Sequence, residues 1–296
     1  MTMSSVLSLQ LLIAALVLGT LYALIALGLN LIYGTMRLLN VAHGEVVMLG
    51  GYIAYGMATQ FGLNTAYALI PSMLCAALLG LAAYEFVFRP LLKKEQLLAR
   101  VEANSLIIFF GVAIALQNIA ALAFTASPKS YRYLDRVVTI GHASIAEYRL
   151  FALGVAGAAC IGCMLFFRFS RTGLAIRALL QQRAAAALVG IEADRINRVV
   201  FALGFAMAGL AGCLVSLSEP ISPFGGFPFT ISALVVIILG GLGNLLGSLL
   251  GGLILGAVEV YGVALTSSNW RSIIVYSVFV VMLLWRPQGL FSRGAA

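Results

Sequence analysis

Apolar runs long enough to cross a bilayer, among them Leu7 to Leu29 and Ser232 to Val258, constrain this chain more tightly than any other feature. A water-exposed helix needs one apolar stripe, whereas a run of about 20 residues that is apolar on every side matches the hydrocarbon core of a membrane. With 9% charged residues, 62% hydrophobic residues and a mean hydropathy of +1.06, the chain has too little polar surface to cover such runs in water. A transmembrane β-barrel is excluded, because its strands alternate apolar and polar residues. The expected fold is therefore all-α, a polytopic transmembrane bundle of about 8 to 9 membrane helices occupying residues 1–296 as a single domain.

The runs place helices near residues 7–29, 41–59, 65–88, 103–125, 149–167, 199–217, 231–262 and 270–285. The first run has no positive segment before it, exceeds the usual signal-peptide core and is followed by further spans, so it is expected to stay in the mature protein. Loops 30–40, 89–102 and 168–198, with the C-terminal tail, hold 13 of the Lys and Arg residues, and the opposite loops hold five. Basic residues collect on the cytoplasmic side, so this pattern predicts an outside N-terminus and a cytoplasmic C-terminus. The net charge of +8 is spread over these loops rather than gathered on one face, which reports topology and not a nucleic-acid partner.

That orientation requires an even number of crossings after residue 198, yet three apolar runs follow. Run 231–262 must turn back, and Gly240-Gly241-Leu242-Gly243-Asn244 supplies the break. It is either re-entrant, surrounded by protein or a water-filled cavity, or a cytoplasmic turn between two spans. Val47-Met48-Leu49-Gly50-Gly51 and Ile237-Ile238-Leu239-Gly240-Gly241 are a faint echo of one another in segments expected to run in opposite directions, as in an inverted repeat. Gly243, Gly247 and Gly251, and separately Gly252 and Gly256, form small-residue ladders suited to close helix packing.

Residues 30–52 hold the densest polar cluster within the apolar frame: Asn30, Arg37, Asn40, His43 and Glu45. A buried charge at this depth costs about 2.5 to 3.5 kcal/mol on insertion scales, so these residues are either pathway groups or polar links that fix helix packing. Glu85 and Glu259 are expected nearer the membrane interfaces. Cys75, Cys160, Cys163 and Cys213 sit in apolar runs, Cys160 and Cys163 without His or acidic neighbours that could complete a metal site, and all four read as small core residues. No Lys-Ser/Thr follows the Gly241-Leu242-Gly243 run, His43 and Glu45 lack zinc-protease spacing, and no serine hydrolase motif is present. An enzyme reading has no support.

Loop 168–198 carries six arginines and two acids. Within it, residues 174–190 read as one helix of strong helix formers stopped by Gly190. Such a helix either rests on anionic lipid or docks into a groove on a cytoplasmic partner.

Gly28 to Tyr52 with its Asn-Val-Ala-His-Gly-Glu segment, Arg89-Pro90-Leu91, Arg171-Thr172-Gly173, Leu239 to Asn244 and Trp285 to Phe291 together resemble the LivH-type permease of bacterial branched-chain amino acid ABC importers. The resemblance covers nearly the whole chain. It implies a permease subunit of the bacterial inner membrane that binds no cofactor itself. Its implied partners are a second related permease, two cytoplasmic subunits that use ATP, and a periplasmic solute-binding protein. Segment 174–190 is similar to the coupling segment of such importers: Ala184, Ala185, Ala186 and Gly190 match the Glu-Ala-Ala and later Gly spacing, with Ala184 in place of Glu, and Arg177 lies on the same stretch. The candidate translocation path comprises Asn30, Asn40, His43, Glu45 and Asn244. Two other substrate or energy classes stay open at this level: an importer for urea, short amides or carboxylates, and an ion-driven carrier in which His43 and Glu45 relay protons.

Overall fold

A computed structural model describes residues 9–94, 98–140, 143–286 and 288–291. In it the chain is a helical bundle with a single two-stranded hairpin. The first helix, α1 (Leu9–Met36), is 28 residues long and about 42 Å from end to end, which exceeds the hydrocarbon core. Asn30 therefore lies inside a helix, where the hydropathy pattern had placed a loop. Helices α2 (His43–Thr59) and α3 (Leu69–Ala83) follow, α3 being entered through the 3-10 turn Thr65–Ala68 and continued by a π-helical turn Tyr84–Phe88 into α4 (Arg89–Lys94). Next come α5 (Leu98–Phe124), the antiparallel hairpin β1 (Val137–Ile140) and β2 (Ala143–Ala146), and α6 (Glu147–Phe169). The expected helix 174–190 is two helices, α7 (Arg171–Gln181) and α8 (Arg183–Leu188), parted by the extended Gln182. Gly190 at φ 80° supplies the stop that was expected of it.

The remaining elements are α9 (Ala193–Val215), α10 (Phe227–Gly240), α11 (Leu245–Leu265), the 3-10 turn Ser268–Trp270 and α12 (Arg271–Trp285). Run 231–262 thus turns back, as parity demanded. Gly241 at φ 96° and Gly243 at φ 81° make the turn, a left-handed backbone that side chains disfavour. Among the described residues, seven helices are long and apolar enough to cross a membrane, and α10 is a shorter apolar helix of about 21 Å.

The bundle has two ends. One carries the hairpin, the 3-10 turn before α3 and Lys129, whose backbone bridges Ile221. The other carries α7, the Gly241–Asn244 turn and Phe291, whose carbonyl accepts from Asn244 Nδ2 at 2.7 Å. Leu180 of α7 lies against Gly34 of α1, and Gly243 of the turn lies on the same spot. The turn therefore sits at the α7 end, which is the arrangement of two helices joined by an end turn rather than a re-entrant loop.

Small residues set the interior. Gly252 and Gly256 of α11 lie directly against Ala23 and Gly19 of α1, leaving no room for a Cβ, while Gly247 and Gly251 face α10. The two glycine ladders are packing faces. Helix α1 is consequently the central element, buried from Gly19 through Ile32 by α9, α10 and α11.

Candidate functional site

After Met36 the chain does not run straight into the next span. Arg37 takes a left-handed conformation at φ 56°, and residues 37–42 climb back beside α1 until His43 Nε2 donates to the Ile25 carbonyl at 3.0 Å. Ile25 and Met36 are about 16 Å apart along the helix axis, so α2 starts well inside the bundle. Helix α10 starts there too, because Gly44 N donates to Thr230 Oγ1 at 2.8 Å and Thr230 Oγ1 donates to the Val41 carbonyl at 2.9 Å. Two helix N-termini meet at this junction and their helices leave in opposite directions, so the glycine echo between 47–51 and 237–241 does lie in oppositely directed segments.

Glu45 occupies the junction. Its Oε1 accepts from Gln117 Nε2 at 2.9 Å, and its carboxyl group lies against Gly226, the residue preceding α10. A carboxylate there faces the partial positive charge of that helix end. Glu45 Oε2, His43 Nδ1 and both amide atoms of Asn40 are buried without a hydrogen-bond partner among the described residues. Asn30 and Asn244 lie elsewhere, together, at the α10–α11 turn. Asn30 Nδ2 donates to Ser248 Oγ at 2.7 Å and to the Asn244 carbonyl at 3.1 Å, while its Oδ1 accepts from Gly243 N. Asn244 caps α11 by accepting from Gly247 N. The five path candidates therefore form two groups, and the amide groups of Asn30 are committed to the turn rather than to a passing solute.

At the hairpin end a cavity of about 410 Å³ opens between α1, α10, α11 and the start of α12. Leu11, Val17, Leu18, Leu21, Val260 and Val263 give it an apolar wall. Its polar side is a linked set: Tyr22 Oη donates to Glu259 Oε2 at 2.7 Å, Arg271 Nε pairs with Glu259, and Arg271 Nη1 pairs with Glu219 Oε1 at 2.7 Å. Glu259 is only 2% exposed, but Glu219 and Arg271 keep 38% and 41% of their side chains open. Arg149 also lines the cavity.

At the opposite end, Ile176 and Leu179 anchor α7 in the bundle, and Ser170 caps it by accepting from Gly173 N. Arg177 donates to the Arg168 carbonyl. Ala184, Ala185 and Gly190 face outward, as do Leu188 at 89% and Val189 at 75% exposure, whereas Ala186 is packed inward. Four residues after Gly190, Asp194 joins a closed set of charges: Arg89 pairs with Glu85 and Asp194, and Arg198 pairs with the same two acids.

The family described as "Branched-chain amino acid transport system / permease component" matches residues 11–283. The chain belongs to that permease family. This permease is 31% identical to the high-affinity branched-chain amino acid transport system permease protein LivH of Escherichia coli, over 93% of its length and 92% of the relative's. It is 30% identical to BraD of Pseudomonas aeruginosa, covering 96% of both chains. A shorter stretch of 120 residues is 29% identical to LivM of Escherichia coli, 40% of this chain and 28% of that one. No solved structure matches.

Sequence reading of the permease missed the cavity, whose charged groups come from α6, α11, α12 and the segment after α9. Glu259 inside an apolar helix was the available signal, since an ionisable residue there must have a partner.

Proposed function

We propose that this permease is the membrane subunit of an ATP-driven importer that carries branched-chain, hydrophobic amino acids across the bacterial inner membrane. The observation that carries this reading is the near full-length relationship to LivH and BraD, whose names state that transport. The partial relationship to LivM supports a second, related permease as its neighbour. Two cytoplasmic subunits use the ATP and a periplasmic solute-binding protein delivers the substrate, so the chain itself binds no cofactor.

The 13 to 5 asymmetry of basic residues supports a cytoplasmic α7 end and an outside N-terminus. Leu188 and Val189, apolar and outward beside Ala184, Ala185 and Gly190, are the groups that seat in an ATPase groove. Closure of the ATPases then pushes on α7 and α8. The push reaches α1 through Leu180 on Gly34, and α9 through Asp194 and its arginines. Asn40, His43 and Glu45, at the junction of two helix starts, lie where helix movement exposes polar groups to a zwitterion, and Asn30 with Asn244 holds the cytoplasmic turn.

The test is reconstitution of the permease with its LivM-type partner, ATPases and binding protein in liposomes. Labelled leucine should accumulate only with ATP and binding protein, and isoleucine and valine should compete while urea and acetamide should not. Uptake of urea instead would reassign the substrate. Accumulation by this chain alone, without ATPases, would overturn the importer reading in favour of an ion-driven carrier.

A further inference from the structure

We infer that the cavity between α1, α10, α11 and α12 is a binding site for a zwitterionic amino acid with a branched aliphatic side chain, occupied within this one subunit before the substrate crosses. The inference rests on the importer reading and adds a place to it.

Size comes first. About 410 Å³ lies in the range of small-molecule sites, which are mostly apolar with a few fixed polar groups. Here Val17, Leu18, Leu21, Val260 and Val263 form the apolar side, a surface that gains from burying an aliphatic chain.

Charge decides the class of ligand. The lining holds two arginines, Arg149 and Arg271, and two glutamates, Glu219 and Glu259, so its formal charges cancel. With Arg271 paired to both glutamates, the groups left over are Arg149 and one oxygen of Glu219, which suit a molecule that carries one charge of each sign. Glu259 is spent on Tyr22 and Arg271 and stays buried. Glu219 uses one oxygen on Arg271, and among the described residues its second oxygen has no partner. Among the same residues no acid pairs with Arg149. A carboxylate on Arg149 and the outward face of Arg271, with an ammonium on Glu219, completes these groups. Glu259 and Tyr22 act as positioning residues that hold Arg271.

The site is at the end opposite the coupling segment, the end at which a delivered solute arrives. Glu219, Val215 and Phe229 line both it and a much smaller void of about 30 Å³, which is also lined by Ser222, Gly51 and Gly225, the neighbour of the residue that touches Glu45. The occupant is thereby placed one layer above the α2–α10 junction.

The experiment uses the complete complex in lipid nanodiscs, with the four native cysteines replaced by alanine and one cysteine introduced at Ala264→Cys or Ala14→Cys, both in the cavity wall. The rate of labelling by a negatively charged thiol reagent is read with and without leucine, in the absence of binding protein. Leucine should slow labelling at both sites and leave Ala126→Cys, in the exposed loop at the same end, unchanged. Leucinamide, lacking the carboxylate, and 4-methylpentanoate, lacking the ammonium, should not protect. Arg149→Gln and Glu219→Gln should each raise the leucine concentration for half-protection by about tenfold, the worth of one charged hydrogen bond. Absence of leucine protection in a complex that still accumulates leucine with ATP would overturn the cavity site and leave the importer standing. Equal protection by 4-methylpentanoate, or by added phospholipid with no effect of leucine, would overturn it in favour of an acyl chain. A complex that shows neither protection nor ATP-driven leucine uptake would sink both readings.

Discussion

Asn30 and Gly243, 213 residues apart in sequence, are joined by a 2.8 Å hydrogen bond in which the Asn30 carbonyl accepts the backbone N–H of the turn. The same side chain donates to Ser248 and to the Asn244 carbonyl, so one amide fastens the α10–α11 turn to the middle helix. Asn30→Leu keeps the volume and removes all three bonds. It should cost about 1 to 3 kcal/mol for each buried polar group left without a partner, read as a lower thermal midpoint of the detergent-solubilised complex. An unchanged midpoint would show that water replaces the amide.

How much of this was legible in the sequence follows from range. The spans, the backward turn and the glycine ladders arise from local pattern, because hydrophobic runs and small-residue spacing act within one or two helices. The start of α2 was misplaced only by position in depth: nothing in residues 37–42 announces that they climb beside α1, since the deciding contact is His43 with Ile25. The split at Gln182 was hidden because its neighbours are strong helix formers, so no local signal marks the extended backbone there. The cavity was the least legible, being assembled from Tyr22, Arg149, Glu219, Glu259 and Arg271, five residues with no sequence proximity.

The α2–α10 junction has no spare room. A Cβ on Gly226 would stand 2.5 Å from the carboxyl carbon of Glu45. Gly226→Ala should therefore push the Glu45 carboxyl group aside and lower stability by about 1 kcal/mol, the low end for overpacking because that group is the movable end of its side chain, and Glu45→Ala in the same chain should return part of that loss. If the two effects simply add in thermal unfolding, the contact is not what limits the site.

Glu45→Gln keeps the shape and removes the charge. Gln117 can still donate to the new amide oxygen, so assembly should be retained while leucine uptake falls, because the helix-end charge that faced α10 is gone. Uptake equal to that of the unaltered complex would assign Glu45 to packing alone.

Glu85, Arg89, Asp194 and Arg198 form four ion pairs, two of which, Arg89 with Asp194 and Arg198 with Glu85, join the α3–α4 region to the start of α9. Their side chains are about one-third exposed, so each pair contributes little in water and weakens with salt. Arg198→Ala and Glu85→Ala should each destabilise slightly, and the double variant should lose less than the sum. Additive losses, insensitive to salt, would mean that the residues act independently.

Sidedness has a direct readout. Single cysteines at Gln181→Cys and Ser130→Cys should label from opposite faces of sealed vesicles, because Gln181 ends α7 while Ser130 lies beside the Lys129–Ile221 bridge at the other end. The positive-inside pattern further assigns Gln181 to the cytoplasmic face. Labelling of both from one face would contradict the bundle itself, whereas opposite labelling with Gln181 outside would keep the bundle and invert it.

Leu188 is the sharpest probe of coupling. It is 89% exposed at the end of α8, next to Val189, and an apolar pair held in water gains most from entering a partner's groove. Leu188→Asp changes nothing inside the permease, so insertion, thermal stability and the number of copies in the membrane should match the unaltered protein. Co-purification of the ATPases should drop, and with it leucine-stimulated ATP hydrolysis, since a charge in an apolar groove loses the burial of the side chain and adds the cost of desolvation. Ala186→Ser, on the inward side of the same turn, separates docking from local packing: it should disturb stability without a selective loss of ATPase. If Leu188→Asp retains its ATPases and hydrolysis, the docking surface lies elsewhere on loop 168–198, and Ala184, Ala185 and Gly190 lose their proposed role with it.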